Sequence, residues 1–152
     1  MREILFRGKD RLGHWLYGGF HLWEMRQPCV IDDELKPEEI KHIIIKNSFA
    51  DWNMPRTMQP YVVIPSTVGQ YTGLTDKNGT KIFEGDILQF DYIGKNLGVN
   101  GVAFVNFQNG KFGVEWGYHK EFVCLDGFAN TTLEVIGNIH DNPELLRGDN
   151  NA

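Results

Sequence analysis

The stretch that decides the fold is Val102-Ala103-Phe104-Val105-Asn106-Phe107-Gln108-Asn109-Gly110-Lys111-Phe112-Gly113-Val114-Glu115-Trp116. Asn-Gly is the preferred dipeptide of a two-residue β-turn, and apolar residues alternate on both sides of it. Counting outward from the turn pairs Gln108 with Lys111 and, on the opposite side of the ribbon, Phe107 with Phe112 and Val105 with Val114. Because a slip of one residue would mix the two sides, the stretch predicts a hairpin with one register.

The residues around this hairpin predict further short strands separated by turns. Asp76-Lys77-Asn78-Gly79 predicts a turn between strands near 69–74 and 80–83. Strands are also predicted near 86–92, 121–125 and 133–139, and Asn142-Pro143 predicts a short helix start. Turns every 8 to 14 residues are typical of a small barrel.

The N-terminal part is predicted to open with a β-hairpin. Strands are expected over 2–7 and 14–25, around the loop from Gly8 to Gly13. A short strand is expected over 29–33, then a helix over 37–46 because Pro37, Glu38 and Glu39 suit a helix start. Ile43-Ile44-Ile45 favours a strand there instead. Residues 48–60 contain Pro55 and Pro60 without a clear period, which predicts a loop before a strand over 61–64.

Length and composition predict one globular domain or, at most, one domain with a substantial appendage. The chain has 152 residues, of which 41% are hydrophobic, with only two cysteines and a net charge of −5. This composition predicts a folded protein outside the membrane, and the acidity disfavours binding to nucleic acid. Two widely spaced cysteines and the absence of a secretion signal indicate the cytoplasm.

No residue pattern indicates catalysis, a cofactor or a metal. Ser48 and Ser66 lack the flanking glycines of a hydrolase nucleophile, and no Gly-Lys-Ser/Thr phosphate loop occurs. The five histidines lack metal-ligand spacing. His140 beside Asp141, the lone Cys124 and the acidic run Asp32-Asp33-Glu34 are more often surface or core features than sites. We therefore predict a protein that is not an enzyme and needs no cofactor.

Several motifs together resemble the YopX family, which is found in bacteriophages and prophages. They are Arg2–Arg7, Val68–Leu74, Asp76–Gly79, Ile82–Ile87 and Val135–Leu146, in that order along nearly the whole chain. The resemblance implies an SH3-like β-barrel and no known enzymatic activity. The predicted fold class is therefore mainly β with minor α, an SH3-like small barrel in the C-terminal half with an N-terminal β-hairpin extension and short helices.

This organisation divides the chain into three parts. Residues 1–66 would form N-terminal strands and a short helix or loop packed on the barrel, residues 67–146 the barrel with its C-terminal helix, and residues 147–152 a tail. Gly69, Gly73, Gly79 and Gly85 are spaced as turn or bulge positions, and Asp86 is placed to accept backbone N–H groups at a strand start.

The predicted function is a non-catalytic module that binds an unidentified host or phage protein, or a second copy of itself. Alternation places Trp15, Tyr17 and Trp23 on one side of a strand, and Phe20 and Leu22 on the other. These aromatic residues either bind a partner or cap the barrel core. Gln70 and Tyr71 complete the candidate binding residues, although a barrel tyrosine more often packs locally.

Two other functions remain open. Small barrels that combine rings with cations bind single-stranded nucleic acid, and Arg7 and Lys9 are the cations that would serve here. An enzyme with an unrecognised site near His140 or Tyr71 is the third hypothesis, because a catalytic pocket can be assembled from distant residues.

Overall fold

The computed structural model describes residues 1–26, 34–48, 52–93, 98–128 and 132–151. Within them the chain is mainly β, with antiparallel strands and only short 3₁₀ helices. The strands are β1 (Phe6–Lys9), β2 (Trp15–Glu24), β3 (Ile40–Asn47), β4 (Met58–Val62), β5 (Gly69–Thr75), β6 (Lys81–Phe83), β7 (Asp86–Ile93), β8 (Gly98–Gln108), β9 (Lys111–Trp116), β10 (Glu121–Cys124) and β11 (Glu134–Asn138). The 3₁₀ helices are Pro37–Glu39, Pro65–Thr67, Leu125–Gly127 and Pro143–Asn151. The strand predicted over 29–33 lies outside the described residues.

The chain forms two compact units, which are described separately. The N-terminal unit is Glu3–Gln70, and the C-terminal unit is Tyr71–Ala152 together with Met1–Arg2. The division falls within β5, whereas the sequence placed a boundary after residue 66; the sequence-based boundaries stay a prediction.

The N-terminal unit opens with the predicted hairpin. β1 pairs with β2 from Phe6 opposite Gly18 to Lys9 opposite Trp15. Asp10 builds the connecting loop, since its Oδ1 accepts hydrogen bonds from the N–H groups of Leu12 at 2.9 Å and His14 at 2.8 Å. A short Asp side chain that bonds the following backbone is a common turn former. The hairpin is confirmed, but the bounds predicted for its first strand are wrong: the strand is Phe6–Lys9 and not 2–7, so Gly8 and Lys9 belong to the strand and not to the loop.

β2 continues past the hairpin to pair with β3, and β3 pairs with β4. On the other side of β1, Gly69 and Gln70 of β5 pair with Arg7 and Phe6. Strand order in this unit is therefore β4-β3-β2-β1-β5. Ile43, Ile44 and Val63 are its buried apolar side chains among the described residues.

The helix predicted over 37–46 is wrong beyond its first turn. Pro37–Glu39 forms a single 3₁₀ turn, in which the Glu39 carboxylate accepts the Lys36 N–H at 2.9 Å. The chain then becomes β3 at Ile40. Three consecutive β-branched isoleucines fit a pleated strand better than a helix, and packing of Ile43 and Ile44 outweighs the helix-start signal.

The strand predicted over 61–64 begins earlier, at Met58. Pro60 suggested a loop because proline lacks the N–H that a strand ladder uses. In the structure Pro60 lies opposite Ile45 on β4, and β4 is the last strand of its sheet. An edge strand tolerates proline because only one side of it is paired.

The C-terminal unit contains the β5–β6 hairpin and a five-stranded antiparallel sheet. Tyr71 lies opposite Phe83 and Thr75 opposite Lys81, with the predicted turn between them. The five-stranded sheet has the order β10-β9-β8-β7-β11. Closure of these strands into an SH3-like barrel stays a prediction.

The β8–β9 hairpin confirms the predicted register. Val105 lies opposite Val114, Phe107 opposite Phe112, and Gln108 opposite Lys111. Asn109 and Gly110 have φ values of 51° and 77°, as a two-residue turn of this type requires.

The core of the C-terminal unit lies on one face of the five-stranded sheet. Its buried members are Ile82, Leu88, Phe90, Ala103, Val105, Val114, Leu125, Phe128 and Leu133. Phe90 contacts Trp116 edge to face at 5.5 Å between ring centroids, and Phe128 at 4.8 Å. Gly101 leaves room for this aromatic contact, because a Cβ there would lie 2.5 Å from both the Phe90 ring and Trp116 Nε1.

Candidate interaction surface

The three aromatic residues predicted to act together, Trp15, Tyr17 and Trp23, lie on one face of the N-terminal sheet. β2 runs without interruption from Trp15 to Glu24, so every second side chain points to the same side. We call this side the aromatic face. Phe20 and Leu22 lie on the opposite face, which confirms the predicted alternation.

Each of the three aromatic residues lies opposite a basic residue on a neighbouring strand. Trp15 is paired with Lys9, Tyr17 with Arg7, and Trp23 with Lys41. The Arg7 guanidinium lies 4.7 Å from the Trp15 ring centroid, and Lys9 Nζ lies 5.8 Å from it. Cations at this distance are attracted to the face of an indole ring. These contacts hold Trp15 in place on the sheet.

The outer part of the aromatic face consists of large apolar side chains in water. Tyr17 is 47% exposed and Trp23 is 50% exposed, whereas Arg7 is buried. Strand pairing places Val62 of β4 on the same side of the sheet, because Val62 lies opposite Ile43, which is itself buried, and Ile43 lies opposite His21 of β2. Val62 and Met58 of β4 are also exposed. The face therefore offers apolar contact area on two strands.

Gln70 does not belong to the aromatic face. It pairs with Phe6, which lies opposite Gly18 and thus on the side of Phe20. The Phe20 ring packs there between Phe6 at 5.4 Å and His42 at 5.8 Å. Gln70 is therefore next to this packed cluster.

Tyr71 belongs to the C-terminal unit and is buried. Its ring packs against Phe83 at 5.5 Å, and Lys81 Nζ lies 5.3 Å from the ring centroid. Such contacts hold the β5–β6 hairpin together. Local packing accounts for this tyrosine.

Two buried aspartates within the family-like motifs bind backbone rather than ligand. Asp76 accepts hydrogen bonds from the N–H groups of Asn78 at 2.8 Å, Thr80 at 2.9 Å and Val135 at 3.1 Å. Burial by itself raises the pKa of Asp76, but these hydrogen bonds outweigh it, so the pKa lies below its ordinary value. Asp86 accepts the Phe83 N–H at 2.7 Å, as predicted for a strand start.

The residues considered for catalysis are engaged locally. Asn138 Oδ1 accepts the backbone N–H groups of His140 at 3.0 Å and Asp141 at 2.9 Å, and Asn138 Nδ2 donates to Asp141 Oδ2 at 3.0 Å. Cys124 is half-buried at the end of β10. In the part of the chain that the structure describes, no group of three His, Cys, Asp or Glu side chains converges on one point.

Sequence reasoning missed the contributions of Lys41, Met58 and Val62 to the aromatic face. They reach it through the β2–β3 and β3–β4 pairings. A residue's partner on a distant strand is not encoded by any local pattern. The only local signal was the Ile43-Ile44-Ile45 run, which marked β3 as a strand.

These features define a class of protein: a mainly β chain with antiparallel sheets whose N-terminal unit presents aromatic and basic side chains on one sheet face. The sequence matches the family described as YopX protein over residues 20–147. The chain therefore belongs to the YopX family, as its motifs predicted.

A solved structure has the same fold. It is the crystal structure of protein EF1440 from Enterococcus faecalis, which is 24% identical to this chain with a TM-score of 0.52. The similarity covers 96% of this chain and 99% of that one. A comparison with curated proteins gave no match. Among the described residues, the helices are too short to cross a lipid bilayer.

Proposed function

We propose that this protein is a non-catalytic module that binds another protein through its aromatic face. The observation that carries the proposal is the half exposure of Tyr17 and Trp23 on the same side of one strand. Tyrosine and tryptophan contribute most to binding energy in protein interfaces, and an isolated domain gains nothing by leaving them in water. Lys41 opposite Trp23 adds a charge for orientation.

We further propose that the protein is encoded by a phage or prophage and acts in the bacterial cytoplasm, with a host or phage protein as partner. Family resemblance supports the origin. We also propose that β5 to β11 curl into an SH3-like barrel, which the short antiparallel strands and the bulge between Val135 and Gly137 support, because bulges bend sheets.

The test replaces the exposed aromatic residues and compares a matched control. Tyr17→Ser with Trp23→Ser removes both rings. Leu22→Ser is the control, since Leu22 lies on the same strand, is equally exposed at 47%, and points to the opposite face. Tagged proteins are recovered from infected cells, and bound proteins are quantified by mass spectrometry.

We expect the double variant to bind its partner at least 30-fold more weakly, because an aromatic side chain in an interface contributes roughly 2 kcal/mol or more to the binding free energy. Leu22→Ser should retain the partner. Equal loss in both variants, or recovery of the same proteins with the double variant, would refute the aromatic face as the binding surface.

A second candidate function is binding of single-stranded nucleic acid. Arg7 and Lys9 flank the Trp15 ring, and this combination of cation and ring is used to bind stacked bases and phosphates. The net charge of −5 opposes it. Fluorescence anisotropy of a labelled oligonucleotide should show binding at low salt that Lys9→Gln weakens; no binding at low salt excludes this function.

A further inference from the structure

Among the residues that the structure describes, no strand pairs with the outer edge of β4, which carries exposed apolar side chains. β4 pairs with β3 on one side and is the last strand of its sheet. Met58 is 78% exposed, and Val62 is also exposed. The strand, Met-Gln-Pro-Tyr-Val, has no charged residue. Open edges of this kind pair with other strands, so native proteins protect them with charges, bulges or proline.

Hydrogen bonds show which backbone groups of β4 point outward. The Val63 N–H donates to the His42 carbonyl at 2.9 Å, and the Ser48 N–H donates to the Thr57 carbonyl at 2.7 Å. The register between β3 and β4 is continuous, from Asn47 opposite Met58 to Ile43 opposite Val62. Backbone groups of successive residues in a strand point alternately to the two neighbouring strands. The N–H and C=O groups of Gln59 and Tyr61 therefore point to β3, and the backbone groups of Met58, Pro60 and Val62 point outward from the sheet edge.

Pro60 is the middle one of the three outward-facing residues. It has no N–H to donate, and its ring occupies the place where a carbonyl oxygen of an added strand would lie. With no charge on β4 and no bulge in its register, proline is the protective feature that this edge has.

We propose that Pro60 prevents β4 from pairing with β4 of a second copy of this chain. In a two-fold antiparallel arrangement, Met58 of each copy would lie opposite Val62 of the other, and the two residues at position 60 would face each other at the centre. Proline removes both central hydrogen bonds and places two rings in contact. Any other residue at position 60 would complete the ladder.

This inference does not depend on the proposed function. Self-association here depends on backbone hydrogen bonding at the edge of β4, whereas the binding test replaces the side chains of Tyr17 and Trp23 on β2 and leaves β4 unchanged. Loss of partner binding and gain of self-association are measured separately, so either result can fail alone.

The test restores the missing N–H by Pro60→Thr. Gln59→Thr is the matched control, because it introduces the same residue at the next position, where the N–H already faces β3. Both variants and the unchanged chain are compared by sedimentation velocity over a range of concentrations. Circular dichroism verifies that each is folded.

We expect Pro60→Thr to form a dimer of twice the chain mass of 17.4 kDa, while Gln59→Thr remains monomeric. Adding Met58→Lys to Pro60→Thr should restore the monomer, since the lysine of each copy would lie opposite the apolar Val62 of the other and a charged edge opposes strand pairing. If Pro60→Thr does not fold, Pro60→Ala, which also restores the N–H, takes its place.

Three outcomes would overturn the proposal. The first is a folded Pro60→Thr or Pro60→Ala variant that stays monomeric at every concentration. The second is a dimer of Gln59→Thr as stable as that of Pro60→Thr, which would assign the effect to threonine. The third is a dimer of the unchanged chain that Met58→Lys dissociates.

Discussion

Asp76 links two parts of the C-terminal unit that are far apart in the sequence. Its Oδ1 accepts the N–H groups of Asn78 and Thr80 within the β5–β6 turn, and its Oδ2 accepts the N–H of Val135 in β11. The neighbouring Lys77 is paired with Glu134. One carboxylate therefore fixes both the shape of a turn and the position of a distant strand.

Asp76→Asn tests this role. The amide keeps one acceptor oxygen and presents an NH₂ group to a backbone N–H that it cannot bind. We expect a loss of about 2 kcal/mol in the free energy of unfolding at pH 7, because hydrogen bonds to a charged group are worth more than neutral ones. Urea denaturation measures it. Asp91→Asn, at an exposed position of the same unit, should change stability little.

The same carboxylate makes stability depend on pH. Its pKa in the folded protein lies below the ordinary value of 3.8, so the unfolded state binds the proton first as the pH falls. The stabilisation is present above about pH 5 and is lost progressively as the pH drops through the ordinary value to the folded one. Between pH 5 and 3 the free energy of unfolding should fall less steeply for Asp76→Asn than for Asp91→Asn; parallel curves would contradict this assignment.

At the scale of elements, two glycines of β8 and its turn are required for different reasons. Gly110 has a φ of 77° with open space around it, whereas Gly101 lies against the Phe90 and Trp116 rings. The first position needs a backbone conformation, and the second needs the absence of a Cβ.

Alanine at each position should therefore behave differently. Gly110→Ala should cost about 1 kcal/mol, and Gly110→Asn less, since asparagine tolerates positive φ. Gly101→Ala should cost about 1 to 3 kcal/mol through overpacking. A double-mutant cycle with Phe90→Leu should show coupling for Gly101→Ala and none for Gly110→Ala; coupling of equal size in both would contradict the explanation.

Elements whose cause is local were predictable from the sequence. The Asn109-Gly110 turn predicted the β8–β9 hairpin, and Asn78-Gly79 predicted the β5–β6 hairpin. The segment 37–46 was mispredicted because the helix-start signal and the isoleucine run conflict, and packing decided between them. The loop predicted up to Pro60 was wrong because proline is tolerated in an edge strand, and the position of β4 at the edge depends on the order of the strands in the sheet.

The candidate surface was partly predictable for the same reason. Alternation along β2 grouped Trp15, Tyr17 and Trp23 correctly, because it needs only one strand. It could not assign Gln70 to the other face or bring Val62 to the surface, since both depend on pairing between strands distant in the sequence. Long-range pairing is set by the whole core, which no short motif contains.

At the scale of the whole molecule, buried apolar side chains are unequally divided. Among the described residues, twelve of fifteen lie in the C-terminal unit, and Ile43, Ile44 and Val63 are the three in the N-terminal unit. Because apolar burial is the main stabilising contribution, the two units should differ in resistance to local opening.

Hydrogen exchange should show this difference. Amides of β7, β8 and β9 should exchange at least 10-fold more slowly than the paired amides of β2, β3 and β4, a factor that corresponds to about 1.4 kcal/mol in opening free energy. Mass spectrometry of peptides after deuterium labelling measures both sets in one sample. Equal protection across both units would show that they open together.

The vacant space around Gly110 also has a practical use. No atom of the described residues outside the turn lies within 4 Å of where a Cβ would be, and the turn belongs to the C-terminal unit. Surface turns accept inserted residues at a modest entropic cost. An epitope or a biotin acceptor sequence grafted between Asn109 and Gly110 would replace the two-residue turn by a longer loop and leave the register to the side-chain pairs of β8 and β9. It would allow capture of the protein while β2, with Tyr17 and Trp23, is unaltered in sequence.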